Sequence, residues 1–173
     1  MNWLNVPDIG KPVVPPLTSD ASNRSATRLV ALVGQFALDL DLLHPRYGVR
    51  DIDGDGSPNS YCNILVRDVC AAMGAPVQGA RANDQVTWLS SYEARQRGWA
   101  AISEHAAHGC AEEGMLVVAG WHSRGQGPGH VAIVVPSLDE PGTWIAQAGA
   151  RCFSRGLLAQ GFGSREVTFF AHP

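Results

Sequence analysis

The sequence contains no apolar run long enough to cross a membrane and no stripe of clustered basic residues. A spanning helix needs about 20 mostly apolar residues, so no membrane span is expected. Its 13 Lys and Arg residues are dispersed, and 16 Asp and Glu residues bring the net charge to −3. Because phosphate binding needs clustered positive charge, this balance argues against a nucleic-acid partner. The opening residues also lack the basic start, apolar stretch and cleavage site of a Sec signal.

Cysteine is scarce, with only four residues: Cys62, Cys70, Cys110 and Cys152. Four are too few for a disulfide scaffold in 173 residues, and the absence of CxxC excludes a zinc knuckle. Cys70 follows Cys62 on one predicted helix, too far along the axis to bridge to it, and we interpret it as a buried apolar residue. A Cys110–Cys152 bridge stays open, with free thiols as the expected state.

Length and composition indicate one soluble globular domain. The hydrophobic content of 45% and charged content of 17% allow a sizeable core. Residues 1–21 are rich in proline and predict an extended arm, so the domain itself is expected to span residues 22–173. Its first helix is predicted from Ser22 or Ser25 to about Leu43, where the apolar stripe ends.

Hydrophobic periodicity changes along the chain from a helical to a strand period. Apolar residues three and four apart predict helices from Cys62 to Gly74, over 82–97 and over 103–113. From Met115 onward, short β-branched runs predict strands within 115–122, 130–136, 143–149 and 166–173, with an irregular excursion over 150–163. The expected fold is α+β, with N-terminal helices packed on an antiparallel sheet of about four to six strands.

Cys62 stands where the second helix begins. A thiol in a first helical turn faces unpaired backbone N–H groups and the positive end of the helix dipole, and both favour the thiolate. Cys62 is therefore the predicted nucleophile.

A nucleophilic thiol needs a base, and His130 is the best candidate. It opens the apolar run HVAIVV directly after a glycine, which predicts a rigid position at the start of a buried strand. Gln147, on the next predicted strand, could orient the imidazole through its amide oxygen. His122, at the edge of the glycine-rich segment SRGQGPG, is the alternative base. That segment lacks the lysine and following helix of a phosphate-binding loop, so we interpret it as a hairpin loop.

An acidic loop, DIDGDG, lies just before Cys62. Asp51, Asp53 and Asp55 occupy positions 1, 3 and 5 of a calcium-loop pattern, with Gly56 at position 6. Position 12 is Cys62 instead of the usual glutamate. The loop therefore predicts either a calcium site or a metal-free turn stabilised by aspartate side chains.

Other aromatic and histidine residues allow two interpretations. Trp88, Tyr92 and Trp99 could line a substrate groove, although core packing is the commoner use of such residues. His105 and His108 share one helix face, but with no third ligand in sequence a surface position is favoured over a metal site.

The ordered set of YCN on a helix, GHVAIVV on a strand and a polar residue on the next strand resembles the papain-like core of NlpC-type and CHAP-type cell-wall amidases. Amidase effectors of type VI secretion share that order. The resemblance covers about residues 50–173. It departs from the family at Tyr61 and Asn63, where many relatives have Asp-Cys-Ser, and at Gln147, where His, Glu or Asn is usual.

The resemblance implies a cysteine amidohydrolase that cleaves peptidoglycan stem peptides. Cys62 would attack, His130 would act as base and Gln147 would orient it. The Cys62 N–H would bind the oxyanion, with the Tyr61 hydroxyl or another backbone N–H as the second donor. Asn63 is a further candidate for contact with the oxyanion or the substrate, and Trp121 and His122, at the edge of the glycine-rich segment, could contact the substrate. Some CHAP amidases hold calcium just before their cysteine, which favours a calcium site at Asp51, Asp53 and Asp55.

The same chemistry also fits a toxin that deamidates or cleaves a protein in a target cell. A non-catalytic, calcium-stabilised binding module is the third interpretation. We expect a monomer, with an immunity or inhibitor protein as a possible partner. Without a Sec signal, the protein would be made in the cytoplasm and act in the periplasm or cell wall after non-Sec export, injection or lysis.

Overall fold

A computed structural model of the chain describes residues 61–125, 127–149 and 151–173, together with positions 26, 27, 29, 30, 33 and 47. The predicted arm over 1–21 and most of the predicted helix over 22–43 lie outside these residues. Within that helix, Leu29 and Val33 have helical backbone and are buried, as its apolar stripe predicts.

The described chain contains helices and strands with the following bounds. The helices are α1 (Cys62–Ala72), α2 (Ala82–Leu89), α3 (Tyr92–Gln96), α4 (Glu104–Glu112) and α5 (Leu158–Phe162). The strands are β1 (Ala100–Ile102), β2 (Leu116–Trp121), β3 (His130–Val135), β4 (Trp144–Gln147), β5 (Phe153–Leu157) and β6 (Thr168–His172). In this part of the chain, no helix is long and apolar enough to cross a membrane.

The six strands form one antiparallel sheet in the order β1-β6-β2-β3-β4-β5. The predicted α+β class is therefore confirmed, with a sheet at the upper end of the expected size. Each of the four predicted strands is present. Two further strands, β1 and β5, were not predicted.

Helices cover both faces of the sheet. Along β3, Val131 and Ile133 join a core cluster with α1 and α2, whereas Ala132 and Val134 join a second cluster with α4 and α5. Because side chains alternate between the faces of a strand, a strand buried on both sides is apolar throughout. This explains the unbroken run from Val131 to Val135.

Helix α1 is as predicted. Most of its residues are buried, and among them Ile64, Leu65, Val69 and Cys70 recur at helical spacing. The chain leaves the helix at Gly74, whose φ of 74° lies in the left-handed region that glycine tolerates best. This tight exit lets the connector to α2 turn back across the helix start.

The single helix predicted over 82–97 is wrong, because the structure breaks it into α2 and α3. Ser91 has extended backbone, and its side chain accepts a hydrogen bond from the Ala94 N–H at 3.2 Å. Serine in this position starts a new helix more readily than it continues an old one.

The irregular excursion predicted over 150–163 is also wrong, because it consists of β5 and α5. The strand sequence FSRGL has no clean alternation of apolar and polar residues, and most of its side chains are only partly buried. The short helix that follows packs Phe162 into the second core cluster. It thereby covers one end of β3 and β4.

Candidate active site

Cys62 is the first residue of α1 and is 3% exposed. Its N–H belongs to the first turn, where backbone donors have no partner inside the helix. The backbone N–H groups of Asn63 and Val131 both hydrogen-bond the sulfur and favour its thiolate. The Val131 contact brings the start of β3 to the start of α1.

His130 is the first residue of β3 and is only partly buried. The alternation along the strand places its side chain on the same face as Ala132 and Val134, beneath α5. Its imidazole hydrogen-bonds the side chain of Cys62. The two side chains that sequence reasoning paired as nucleophile and base are therefore in contact.

Gln147, the last residue of β4, holds the other side of the imidazole. Its Oε1 lies 2.7 Å from His130 Nε2, and its Nε2 donates to the Arg151 carbonyl at 2.9 Å. Because the amide nitrogen is committed to a carbonyl, the oxygen must face the ring, and His130 Nε2 must carry a proton. Nδ1 is then the ring nitrogen left for Cys62.

The thiol and the imidazole shift each other's pKa in opposite directions. Burial raises the pKa of Cys62, but the hydrogen bond and positive charge of His130 outweigh it and hold the pKa below that of an ordinary thiol. Burial lowers the pKa of His130, but the hydrogen bond and negative charge of Cys62, helped by Gln147, raise it overall. Both shifts favour a thiolate beside an imidazolium.

Helix α5 covers this pair on one side. The Phe162 ring lies 4.8 Å from the His130 ring, centroid to centroid. Gly161 packs so closely that a Cβ at this position would overlap Gln147 Oε1 and lie 2.7 Å from Ile145 Cδ1. A side chain at position 161 would therefore displace the amide that orients His130.

Asn83, in the first turn of α2, holds the β2–β3 hairpin in place. Its Oδ1 accepts a hydrogen bond from the Ser123 N–H at 3.0 Å, and it packs directly on Gly129, leaving no space for a Cβ there. Gly129 immediately precedes His130, so this contact fixes where the base leaves the loop. No local sequence pattern reveals this long-range contact of Asn83.

Two predicted oxyanion or substrate residues lie inside the protein. Tyr61 is 1% exposed and belongs to the first core cluster. The Asn63 side chain is buried and donates to the Ala80 carbonyl at 2.7 Å, while the backbone carbonyl of Asn63 accepts from Gln85 Nε2 at 2.9 Å. The Asn63 side chain therefore ties α1 to the connector, and the Asn63 backbone carbonyl ties α1 to α2. Tyr61 as an oxyanion donor stays a prediction.

The other two predicted contact residues lie at the start of the hairpin loop. Trp121 is the last residue of β2 and pairs with His130 across the β2–β3 ladder. His122 follows it and is exposed. Sequence reasoning missed Arg165, whose guanidinium carbon lies 4.7 Å from the centroid of the Trp121 ring.

The possible groove aromatics occupy different environments. Trp99 is 2% exposed within the first core cluster, and Trp88 packs against that cluster. Tyr92, in contrast, is 68% exposed. Trp99 is therefore a core residue, in line with the commoner use of such residues.

Metal binding remains a prediction for the acidic loop. Asp51, Asp53 and Asp55 lie outside the described residues. Among the residues that are described, no group of three His, Cys, Asp or Glu side chains could hold a metal ion. His105 and His108 instead line an open cavity of about 450 Å³ with Glu104 and Glu140, which shares no residue with the Cys62 site.

All four cysteines are free thiols, and Cys70 is buried in the core.

Because comparisons with known proteins find no match, the functional proposal depends on the geometry of this site. No protein-family model matches the chain, and a search of curated proteins finds no match.

Proposed function

We propose that the chain is a cysteine amidohydrolase with Cys62 as nucleophile, His130 as general base and acid, and Gln147 as the residue that positions His130. The observation that carries this proposal is the continuous contact from thiol to imidazole to amide, with the pKa of Cys62 lowered and that of His130 raised. A buried structural cysteine needs no such partner. The fold adds support, because the nucleophile starts a helix and the base starts a strand.

In the first half of the reaction, the Cys62 thiolate attacks the amide carbonyl and forms a C–S bond. His130 delivers its proton to the leaving nitrogen as the C–N bond breaks, so the amine product departs neutral. In the second half, a water molecule gives a proton to His130 and attacks the thioester. The C–S bond then breaks, and the thiolate and imidazolium are restored.

The negative charge that develops on the carbonyl oxygen requires hydrogen-bond donors. The Cys62 N–H is well suited, because it lies in a first helical turn and carries the partial positive charge of the helix end. The Asn63 N–H already hydrogen-bonds the sulfur. The second donor is the Tyr61 hydroxyl or a further backbone N–H.

For the substrate, we propose an amide bond of a peptidoglycan stem peptide, with the chain as a papain-like amidase related to the NlpC and CHAP types. The support is the order of its parts: a helix-borne Cys62, then His130 at a strand start, then Gln147 at the end of the neighbouring strand. Gln147 is neutral, so it positions the imidazole but stabilises the imidazolium less than a carboxylate would.

The test is to incubate purified Gram-negative peptidoglycan with the wild type and with Cys62→Ala, and to determine the released fragments by mass spectrometry. The wild type should create new amine and carboxyl ends that Cys62→Ala does not. Cys70→Ala is the matched control, because it removes a buried thiol from the same helix away from His130 and should retain cleavage. Parallel samples with calcium or a chelator test the proposed calcium site at Asp51, Asp53 and Asp55.

Alkylation of Cys62 by iodoacetamide at pH 6 separates the alternatives. Rapid alkylation without cleavage of any wall preparation would favour the protein-modifying toxin. A Cys62 that fails to react, like an ordinary buried thiol, would refute catalysis and leave a binding module.

A further inference from the structure

Arg165 lies in the segment between α5 and β6 and is exposed, yet two contacts hold its side chain. Its Nη1 donates to the Phe162 carbonyl at 3.0 Å, and its guanidinium lies over the Trp121 ring. An arginine stacked on an aromatic face and hydrogen-bonded at one end loses little further freedom when it binds a ligand. The remaining N–H donors of the fork stay available.

Both residues that hold Arg165 are immediate neighbours of His130. Trp121 lies directly opposite His130 in the antiparallel ladder, where paired side chains share a face about 5 Å apart. Phe162 contacts the imidazole from α5. Arg165 therefore lies on the His130 side of the site, and its positive charge reaches the imidazole, lowering the pKa of His130 in opposition to Cys62.

A cation in this position needs an explanation, because it opposes the imidazolium that the chemistry uses. Within the described ranges, no carboxylate forms an ion pair with Arg165. The neighbouring Glu166 instead lies 3.8 Å from Arg124, and both of those side chains are more than 90% exposed. The Arg165 fork is thus left open to an anionic group.

We propose that Arg165, supported by Trp121, binds a carboxylate on the amine-releasing half of the substrate. This inference rests on the proposed amidohydrolase function, in which His130 donates its proton to the leaving nitrogen. Since Arg165 lies on the His130 side, the group it meets belongs to the residue whose nitrogen is released. The substrate class is an amide whose leaving amine carries a nearby α-carboxylate or side-chain carboxylate, and the planar fork suits bidentate recognition of that group.

The first experiment uses Cys62 itself as the reporter. Iodoacetate carries a carboxylate and iodoacetamide a neutral amide, so the ratio of their alkylation rates at Cys62 measures attraction of a carboxylate to the site. The ratio should fall roughly three- to tenfold in Arg165→Gln, as expected for loss of an exposed charge-assisted contact. Arg165→Lys should recover part of it, because lysine keeps the charge but not the fork.

Arg124→Gln is the matched control, since it removes one positive charge from an exposed arginine nearby. Its ratio should stay within roughly twofold of the wild type. An unchanged ratio in Arg165→Gln, or an equal fall in Arg124→Gln, would overturn the proposal. A Cys62 inert to both reagents would refute the amidohydrolase function, and this inference with it.

The second experiment compares peptidoglycan fragments whose carboxylates are free with the same fragments converted to amides. The wild type should prefer the free form by roughly tenfold in kcat/KM, and Arg165→Gln should abolish that preference with its main effect on KM. Equal cleavage of both forms by the wild type would contradict the carboxylate site. If the alkylation ratio depends on Arg165 but no fragment is cleaved, the carboxylate site stands and the peptidoglycan substrate is wrong.

Discussion

Two thiols, Cys62 and Cys152, lie close to His130, and their surroundings shift their pKa values in opposite directions. Cys62 contacts the imidazole, and its pKa is lowered although burial alone would raise it. Cys152 hydrogen-bonds the N–H and carbonyl of Gly149, which itself packs beside the His130 ring. Burial raises the pKa of Cys152, and the Gly149 N–H offsets this only in part.

The comparison shows that closeness to His130 does not by itself lower the pKa of a thiol in this protein. Both sulfurs accept backbone N–H hydrogen bonds, but only Cys62 also meets a group that can carry a positive charge. The imidazole therefore accounts for the difference between the lowered pKa of Cys62 and the raised pKa of Cys152.

Removal of the imidazole should make Cys62 resemble Cys152. In His130→Ala, amide cleavage should fall about 10²- to 10⁴-fold, because both the base and the acid are lost. Alkylation of Cys62 at pH 6, followed on its own peptide, should slow in parallel. The control is His122→Ala, which alters the exposed alternative base on the same hairpin. Loss of activity in His122→Ala with retention in His130→Ala would exchange their roles.

A single methyl group added at Gly161 should reduce the difference between Cys62 and Cys152, although it changes neither Cys62 nor His130. In Gly161→Ala, the new Cβ displaces the Gln147 amide, so His130 loses its orientation and kcat should fall roughly ten- to a hundredfold. Gly109→Ala is the control, since a Cβ there meets nothing within 4 Å and lies on the exposed face of α4. It should keep full activity and raise the free energy of unfolding by about 0.5–1 kcal/mol. Full activity in Gly161→Ala, measured by steady-state kinetics, would contradict this role of Gln147.

The difference between Cys62 and Cys152 should increase if the His130 imidazolium gains an anionic neighbour. The wild-type pH profile of kcat/KM should be bell-shaped, falling in acid as Cys62 is protonated below its lowered pKa and in alkali as His130 loses its proton above its raised pKa. In Gln147→Glu, a carboxylate at the same 2.7 Å position should raise the pKa of His130 further. The alkaline limb should therefore move up by about one pH unit. Gln147→Ala should move it down, and a limb unmoved in both variants would exclude His130 as its source.

The smallest effect is expected at the other thiol. Cys152→Ser keeps a hydrogen-bonding group next to Gly149, so kcat/KM and the Cys62 alkylation rate should stay within roughly twofold of the wild type. Peptide-resolved alkylation of the wild type at pH 6 should label Cys62 and spare Cys152. Preferential labelling of Cys152 would contradict the activation of Cys62 by His130.

Local sequence patterns were sufficient to predict Cys62, His130 and Gln147, the residues that form the thiol–imidazole–amide chain. Helical spacing behind Cys62 and the Gly-His-apolar start of β3 are both short-range signals. Strands β2, β3 and β4 are buried on both faces, so their sequences are nearly continuous apolar runs that predict strands directly. The contact between Cys62 and His130 required the further assumption that nucleophile and base meet in space.

The remaining parts depend on tertiary contacts that leave no local pattern. Helix α5 is short and follows the partly exposed strand β5, so its position over His130 is set by the packing of Phe162. Arg165 and Asn83 act through Trp121 and Gly129, residues more than 40 positions away in sequence. The break between α2 and α3 was local, at Ser91, but it was hidden by apolar spacing that continues across it.

The place of β6 in the sheet has a consequence for the timing of synthesis. β6 lies between β1 and β2, although both precede it in the chain. A ribosome therefore releases β1, the β2–β3 hairpin and the site residues before the strand that joins β1 to the rest. On this topology, the nascent chain cannot complete its sheet until translation has passed His172.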